Sequence, residues 1–472
     1  MASAVFAAVI ILSFVVAFFS RRSHGRQDSR DFFAASGQFG GVLVFLLTVG
    51  ETYSIGSIMG FPAAAMKQGI PFIDWFLGYI VLAYPVGYFL NPLLWKVGRV
   101  WNALTFADLF RTYFRSRFLE VIVAVSAILF MLPLGELQMA GILTTVGEFH
   151  WPVSSVTITA GAALLTFSWL ALSGVRAPAW VSAVKDTIVI VAIVLIAVAV
   201  LRNSSWHALA AASRAMPLST AQGNVYAVTT IITQALGFCV APQTIAFIFT
   251  AKSARIVRRN QIVMPLYMLM FPLLLLSSLY AGATGLPMDA KNSVFISVAA
   301  ALLPSWGLGL VAAACVLSGL VILAGICLSI GSLVSRNLVQ GLPDARQKDC
   351  ARLVITLCLV FSVFAAMRFS ALMPVLTTMF YLGVIQLFPA IFCMVRSVPV
   401  AAAFVTTGFL AGETVSLALA FFSIPTGGVN AGFIGLLVNA AIVFTGTGSE
   451  PRRLASSPIR IRHCDQATKC AD

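Results

Sequence analysis

GGVLVFLLTVGETYSIGSIMGFPAAAM, the stretch at residues 40–66, decides the fold, because it is long enough to cross a bilayer and yet is interrupted at its centre. A membrane-spanning helix needs about 20 mostly apolar residues. From Gly50 to Ser57 the stretch places glycines, hydroxyl side chains and the carboxylate of Glu51 at mid-membrane depth. Unwound backbone is tolerated there only where it is buried in protein or lines a cavity, and a charged group there suggests a functional site. The stretch therefore predicts a broken helix that forms a binding site, with a tight contact through small residues as the alternative.

Apolar stretches of this length recur along the whole chain. Hydrophobic residues make up 60% of its 472 residues, charged residues 10%, and the mean hydropathy is +0.97, whereas soluble domains carry about 25% charged residues. We therefore predict an all-α membrane protein with a single transmembrane domain at residues 1–446 and a cytoplasmic tail at 447–472. About thirteen spans are predicted, at 3–20, 40–66, 70–95, 119–146, 152–173, 179–201, 226–250, 262–284, 307–338, 352–369, 372–395, 398–422 and 427–446.

The basic residues predict an orientation for these spans. If the N-terminus lies outside, 24 of the 30 Lys and Arg residues fall in cytoplasmic connections or in the tail, five fall outside and Lys185 lies within a span. The positive-inside rule then places the N-terminus outside and the C-terminus in the cytoplasm. It also accounts for the net charge of +14 without a nucleic-acid partner. Arg21 and Arg22 follow the first apolar stretch, which is therefore predicted to be a retained helix and not a signal peptide.

A second interrupted span occurs five spans after the first. Gly237, Pro242 and Gln243 interrupt the apolar stretch at 226–250. Broken helices in corresponding positions of two repeats are typical of secondary transporters. The spacing predicts an inverted five-plus-five repeat, with one repeat at about 40–201 and the other at about 226–395.

The connections and the tail carry weaker signals. Leu104 to Phe118 alternates apolar and basic residues at helical spacing, which predicts an amphipathic helix on the inner membrane face. The polar connection at 202–225 is predicted to be an outer loop, and Glu120 is expected to be interfacial. The tail contains three potential metal ligands, His463, Cys464 and Cys470, but these three residues are too weak a pattern to predict a metal site. No metal and no cofactor are therefore predicted.

A series of short motifs runs through the chain in a characteristic order. They are Asp31-Phe-Phe-Ala-Ala-Ser-Gly, Gly50-Glu-Thr-Tyr, Met59-Gly-Phe-Pro-Ala-Ala, Thr105-Phe-Ala-Asp, Ser173-Gly-Val-Arg-Ala-Pro-Ala-Trp, Lys185-Asp-Thr, Ala251-Lys-Ser, Arg258-Arg-Asn, Leu303-Pro-Ser-Trp, Ser335-Arg-Asn and Gln386-Leu-Phe-Pro. In order and spacing the chain resembles the sodium:solute symporter family, which has the LeuT-type fold. Within this family, the chain most resembles the branch of the bacterial monocarboxylate permeases.

The resemblance implies a sodium site that this sequence completes only in part. Family members bind the ion with backbone carbonyls of the broken second span, which map to Gly50 and Tyr53. Two hydroxyl residues of the ninth span complete the family's site, but these positions map to Val321 and Ile322, which offer no side-chain oxygen. The choice of sodium or proton as the coupling ion therefore stays open.

The sixth span carries the other candidates for ion coupling. A carboxylate that some family members use for a second sodium maps to Ser182. In some related carriers a lysine on this span stands in for sodium, a role that Lys185 could take here, with Glu51 as a partner. Asp186 is a further candidate, although adjacent helical residues are not expected to share a face. For Lys185 and Asp186 a buried role and a position near the inner interface are both open.

The half-helix after the first break predicts a site for a small carboxylate. Its free N–H groups, at about Ser54 to Ser57, lie at the positive end of the helix dipole and can bind an anion without an arginine. Apolar neighbours at Phe61, Phe238 and Phe380 would suit short aliphatic acids better than sugars. A bulky side chain at Gly56 is expected to block the approach. The predicted substrate-binding residues are Tyr53, Ser54, Gly56, Ser57, Phe238 and Gln243.

These features predict a cation-coupled symporter of the bacterial inner membrane and not an enzyme. Its partners are expected to be a small organic acid such as lactate or pyruvate, a coupling cation and the lipid bilayer, without an obligate protein partner. A symporter for proline, a sugar or a vitamin and a transporter-fold sensor remain alternatives. A haem or quinone enzyme would need ligands at membrane depth, whereas all four histidines lie in predicted connections or in the tail.

Overall fold

The computed structural model describes residues 1–20, 28–286, 293–368 and 373–448, and of residues 51–52 and 373–374 only the backbone. This part of the chain is almost entirely helical. Its helices are α1 Ala2–Phe19, α2 Ser29–Ala34, α3 Gly41–Thr52, α4 Ile55–Gln68, α5 Ile70–Val100, α6 Phe106–Phe114, α7 Arg117–Gly147, α8 Ser155–Ser173, α9 Arg176–Asn203, α10 Trp206–Arg214, α11 Ala221–Val240, α12 Pro242–Phe249, α13 Ala254–Val263, α14 Met270–Thr284, α15 Val294–Leu302, α16 Ser305–Ser332, α17 Asp344–Arg368, α18 Met373–Val384, α19 Phe388–Arg396, α20 Ala402–Phe421 and α21 Ala431–Thr445.

The predicted spans correspond to these helices one by one. Within the described residues, eleven helices are long and apolar enough to cross a membrane, and the bent pair of α3 and α4 makes a twelfth span. The shorter apolar helix α21 occupies the position of the thirteenth predicted span. The second span is therefore α3 with α4, the sixth is α9, the seventh is α11 with α12 and the ninth is α16. The prediction of an all-α membrane protein is confirmed.

Helix α16 forms the centre of the molecule. Every residue from Val311 to Ser332 is buried, and the helix packs against α1, α7, α8, α9 and α17. A helix surrounded by protein is expected to be apolar on all faces, as this one is. Small residues bring both broken spans close to it. A methyl group added at Gly319 would lie 3.1 Å from Ile55 of α4, and one at Gly325 would lie 2.8 Å from Phe247 of α12.

The amphipathic segment at 104–118 forms α6, but its apolar side does not face lipid. Phe106, Leu109, Phe110 and Phe114 are buried, because the helix packs on α7 and on the π-helical turn at Leu333–Leu338 that ends the ninth span. The prediction of a helix is confirmed, and its position at the inner membrane face stays a prediction. An amphipathic pattern predicts that one side of a helix contacts an apolar surface, but it does not tell whether that surface is lipid or protein.

Several short helices lie in connections where no helix was predicted, among them α10 and α15. The connection at 202–225 contains α10, which packs on α14 and whose N-terminus is capped by Ser205, since its hydroxyl accepts the N–H of Ala208 at 3.2 Å. Helix α15 precedes the ninth span and packs on α4, α9, α14 and α16. The prediction of an irregular loop at 202–225 is therefore wrong in this part. The tail candidates at positions 463, 464 and 470 lie outside the described residues.

Candidate functional site

The break of the second span lies at Tyr53 and Ser54. Helix α3 ends at Thr52, Ser54 has an extended backbone, and α4 continues at an angle of 43°. The Ser54 hydroxyl caps the new helix by accepting the N–H of Ser57 at 3.1 Å, and the two hydroxyl oxygens lie 3.3 Å apart. Because this cap uses one first-turn N–H group, the N–H groups of Ile55 and Gly56 remain at the positive end of the helix.

Tyr53 is held in place by its neighbours on the eighth span. Its side chain is fully buried, and its hydroxyl donates a hydrogen bond to the carbonyl of Tyr267. Its ring centroid lies 4.9 Å from that of Tyr267 and 5.4 Å from that of Phe271. In this conformation the Tyr53 hydroxyl is therefore hydrogen-bonded within the protein. Its predicted contact with substrate stays a prediction.

Gly56 lies against a leucine of the fourth span. A methyl group added at Gly56 would lie 2.7 Å from Cδ2 of Leu137 and 3.4 Å from the Ser54 hydroxyl oxygen. Leu137 therefore covers the Gly56 backbone in this conformation, and the approach predicted to be open is closed. This contact has the character of a packing seam through a small residue.

The ammonium group of Lys185 lies beside the break. A methyl group added at Gly50 would lie 3.1 Å from Lys185 Nζ, 3.8 Å from Ile322 Cδ1 and 4.0 Å from Val321 Cγ1. The position where the family resemblance implies a sodium ion is therefore bordered by an ammonium group and two aliphatic side chains. The Lys185 side chain is completely buried, so its ammonium group does not extend to the protein surface.

Asp186 forms an ion pair with Lys185. Lys185 Nζ and Asp186 Oδ1 lie 2.6 Å apart, and both side chains are buried. This ion pair between adjacent residues was not predicted, and it forms because the long lysine side chain reaches across the helix surface. Ser182, one turn earlier, is buried and donates its hydroxyl proton to the Pro178 carbonyl at 2.8 Å.

The second break lies at Ala241, which has an extended backbone between α11 and α12. Gln243 lies in the first turn of α12 and is buried, and its Oε1 atom has no hydrogen-bond partner among the described residues. Phe238, one turn before the break, is partly buried against the core. Gly237 faces Tyr381, since a methyl group added there would lie 2.7 Å from the tyrosine ring.

Two of the apolar side chains that were expected next to the substrate, Phe61 and Phe380, lie in different places. Phe61 belongs to a buried aromatic cluster, with ring centroids 5.8 Å from Phe72, 5.2 Å from Phe76 and 5.1 Å from Phe271. Phe380 is buried on α18, where its ring lies 4.9 Å from that of Tyr381. The side chain of Glu51 lies outside the described residues, so its role stays a prediction.

A polar network at the end of the ninth span was not predicted. Asn337 donates to Asp108 at 2.9 Å and to Glu120 at 2.8 Å, and Arg336 pairs with Asp108 at 2.7 Å. Glu120 is buried within the protein and pairs with Arg117 at 2.7 Å, and its expected position near the membrane interface stays a prediction. The motifs Thr105-Phe-Ala-Asp and Ser335-Arg-Asn contain several of these residues. In the sequence, these motifs were the signal from which the network could have been found.

The sequence profile of the sodium:solute symporter family matches residues 32–416. The chain belongs to the sodium:solute symporter family. Two similar proteins are an uncharacterized symporter, YodF, of Bacillus subtilis (strain 168), which is 27% identical over 96% of this chain and 94% of its own, and a monocarboxylate transport permease protein of Rhizobium johnstonii, which is 27% identical over 66% of this chain and 65% of its own. A similar solved structure is that of a Na⁺-coupled sialic acid symporter in a substrate-bound, outward-open state, with a TM-score of 0.77, 15% identity and coverage of 94% and 96% of the two chains.

These comparisons establish what kind of protein this symporter is. It is a multi-pass membrane protein with the LeuT-type fold, and it is a transporter and not an enzyme. Its family carries out cation-coupled symport, so a small-molecule substrate and a coupling cation are its partners. No group of three or more metal-ligating side chains occurs in the described part of the chain, and the family's sodium is a coupling ion and not a resident cofactor.

Proposed function

We propose that this symporter couples the uptake of a short-chain monocarboxylate to a proton, with Lys185 in the place of the sodium ion. The observation that carries the proposal is the position of Lys185 Nζ beside Gly50, 3.1 Å from where a methyl group on Gly50 would lie, next to Val321 and Ile322. An ammonium group can supply the positive charge that a bound sodium would supply. Unlike a metal ion, an amine can also release a proton and take one up during the transport cycle.

The surroundings of Lys185 favour this form of coupling. Val321 and Ile322 offer no oxygen ligand, and hard cations require oxygen ligands. Asp186, at 2.6 Å, balances the charge of the ammonium group. When the lysine gives up its proton, the carboxylate is left uncompensated, which strongly favours reprotonation of the pair.

The proposed substrate is a small carboxylate such as lactate or pyruvate. The similarity to a monocarboxylate transport permease supports this class. The N–H groups at the start of α4 suit a carboxylate, and the aromatic side chains around Phe61 suit a short aliphatic body. In this conformation Leu137 covers Gly56, so substrate binding at these N–H groups would require a displacement of Leu137.

Uptake into proteoliposomes would test the proposal. Labelled lactate, pyruvate, proline and glucose are offered under a proton gradient without sodium and under a sodium gradient at equal pH. We expect accumulation of a monocarboxylate under the proton gradient alone and a loss of at least about tenfold in Lys185→Ala. The matched control is Lys67→Ala, since Lys67 is exposed at the end of α4. Sodium-dependent uptake that survives Lys185→Ala would overturn the coupling, and uptake of another solute would overturn the substrate.

We also propose the bacterial inner membrane as its location, with the N-terminus outside and the C-terminus in the cytoplasm. The distribution of basic residues supports this orientation, and the similarity to proteins of Bacillus subtilis supports a bacterial membrane.

A further inference from the structure

A long apolar groove lies between α7, α18 and α20, and one residue of each broken span, Gln68 of α4 and Tyr226 of α11, also lines it. Its volume is about 970 Å³, and aliphatic or aromatic side chains form most of its wall. Leu129 of α7 and Phe421 of α20 are 59% and 68% exposed, so the groove opens sideways. All three helices belong to membrane spans, and the medium outside the groove is therefore the hydrocarbon of the bilayer.

The dimensions of the groove match one leaflet of a bilayer. Along α7 its lining runs from Val121 to Pro133, and along α20 from Leu410 to Phe421. At a rise of 1.5 Å per residue these stretches are roughly 18 and 16 Å long. The hydrocarbon core of a bilayer is about 30 Å thick, so the acyl chains of one leaflet extend over about 15 Å.

Five polar side chains line the groove, namely Gln68, Ser126, Tyr226, Thr378 and Glu413. Glu413 of α20 and Ser126 of α7 are buried and hydrogen-bonded to each other across the groove, so these two groups satisfy one another. Gln68, at the end of α4, and Tyr226, at the start of α11, also line the groove, and Phe421, at the end of α20, lies about 12 Å beyond Glu413 along that helix. In the predicted topology, α4 and α20 end and α11 begins on the same side of the membrane.

We propose that the groove binds one acyl chain of a bilayer phospholipid, with the headgroup near Gln68 and Tyr226 and the end of the chain near the Glu413–Ser126 pair. Water does not compete for an apolar groove in hydrocarbon, and the acyl chain is the abundant species of matching length. The bound chain fills the gap between α7 and α20. It therefore replaces the side-chain packing that these two helices lack there, because their direct contacts are few.

Two leucines of similar exposure provide a matched test. Leu129 lines the groove, whereas Leu164 of α8 is 69% exposed on a different surface. The full-length protein is purified from membranes in detergent and its retained phospholipid is measured by native mass spectrometry. We expect one tightly retained phospholipid in the wild type and in Leu164→Trp, and at least a fivefold lower occupancy in Leu129→Trp, where the indole fills the groove. Equal occupancy in the two variants would overturn the proposal.

A measurement on the wild-type protein avoids any dependence on the folding of a variant. The protein is placed in nanodiscs that contain a phospholipid with a photoreactive diazirine near the end of one acyl chain. We expect labelled peptides from α7, α18 and α20 at several times the yield from α8. Labelling spread evenly over the lipid-facing helices, or retention of a species without an acyl chain, would contradict the proposed occupant.

Discussion

At the residue scale, Lys185 and Asp186 concentrate the charge of the central site in one pair at 2.6 Å. Removing one partner of a buried pair leaves an uncompensated charge and costs about 3–5 kcal/mol. We therefore expect Asp186→Asn to lower the midpoint of thermal unfolding in detergent clearly. Replacing both residues, with Lys185→Met and Asp186→Leu, should restore much of the stability but not the proton-driven accumulation. Normal accumulation in the double variant would show that the pair is structural only.

Gly56 and Leu137 form a second residue-scale test, because the structure places them in direct contact. Gly56→Leu should abolish uptake and lower stability, since overpacking commonly costs about 1–3 kcal/mol. If the contact is a packing seam, Leu137→Ala in the same chain should restore stability and part of the uptake. Restored stability without binding of the labelled substrate, measured by scintillation proximity, would instead support a substrate site at Gly56.

Some features of this site could be predicted from the sequence and others could not. Glycine, hydroxyl and carboxylate residues within an apolar stretch marked the break, and the missing oxygens at Val321 and Ile322 drew attention to Lys185. The contact of Gly56 with Leu137 could not be predicted, because the relative register of two distant helices is not encoded in either segment alone. The Lys185–Asp186 pair was missed because periodicity describes Cβ directions and not the reach of a long side chain.

At the element scale, Asn337 joins α6, α7 and the end of the ninth span through its bonds to Asp108 and Glu120. A leucine there would remove one hydrogen bond from the buried Glu120 and one from the partly buried Asp108, and hydrogen bonds to charged groups contribute about 1.5–3 kcal/mol each. We expect Asn337→Leu to lower the unfolding midpoint strongly. The control is Asp349→Asn, since Asp349 is 71% exposed in its pair with Arg352 and such pairs contribute about 0–1 kcal/mol. Equal effects of the two variants would contradict this role of the network.

The elements themselves were predictable where hydrophobicity decided them. Each span is a long apolar stretch, and such stretches must form helices in a bilayer because their backbone polar groups need internal partners. Helices α10 and α15 lie outside the spans and have nine residues each, so their length does not distinguish them from loops. Their stability comes from packing on α14 and α4, which the local sequence does not show.

At the scale of the whole molecule, the described helices agree with an odd number of spans, counting α21 as the last. An odd number places the two termini on opposite sides of the membrane, and the basic residues then predict which side is which. We expect a phosphatase reporter fused after Arg214 to be active, since this enzyme matures only outside the cytoplasm, and a fluorescent-protein fusion at Asp472 to fluoresce inside. A fusion after Lys252, in the connection between α12 and α13, serves as an internal cytoplasmic control. Phosphatase activity from the Asp472 fusion would contradict the orientation. It would also require that one span, with α21 as the shortest candidate, does not cross the bilayer.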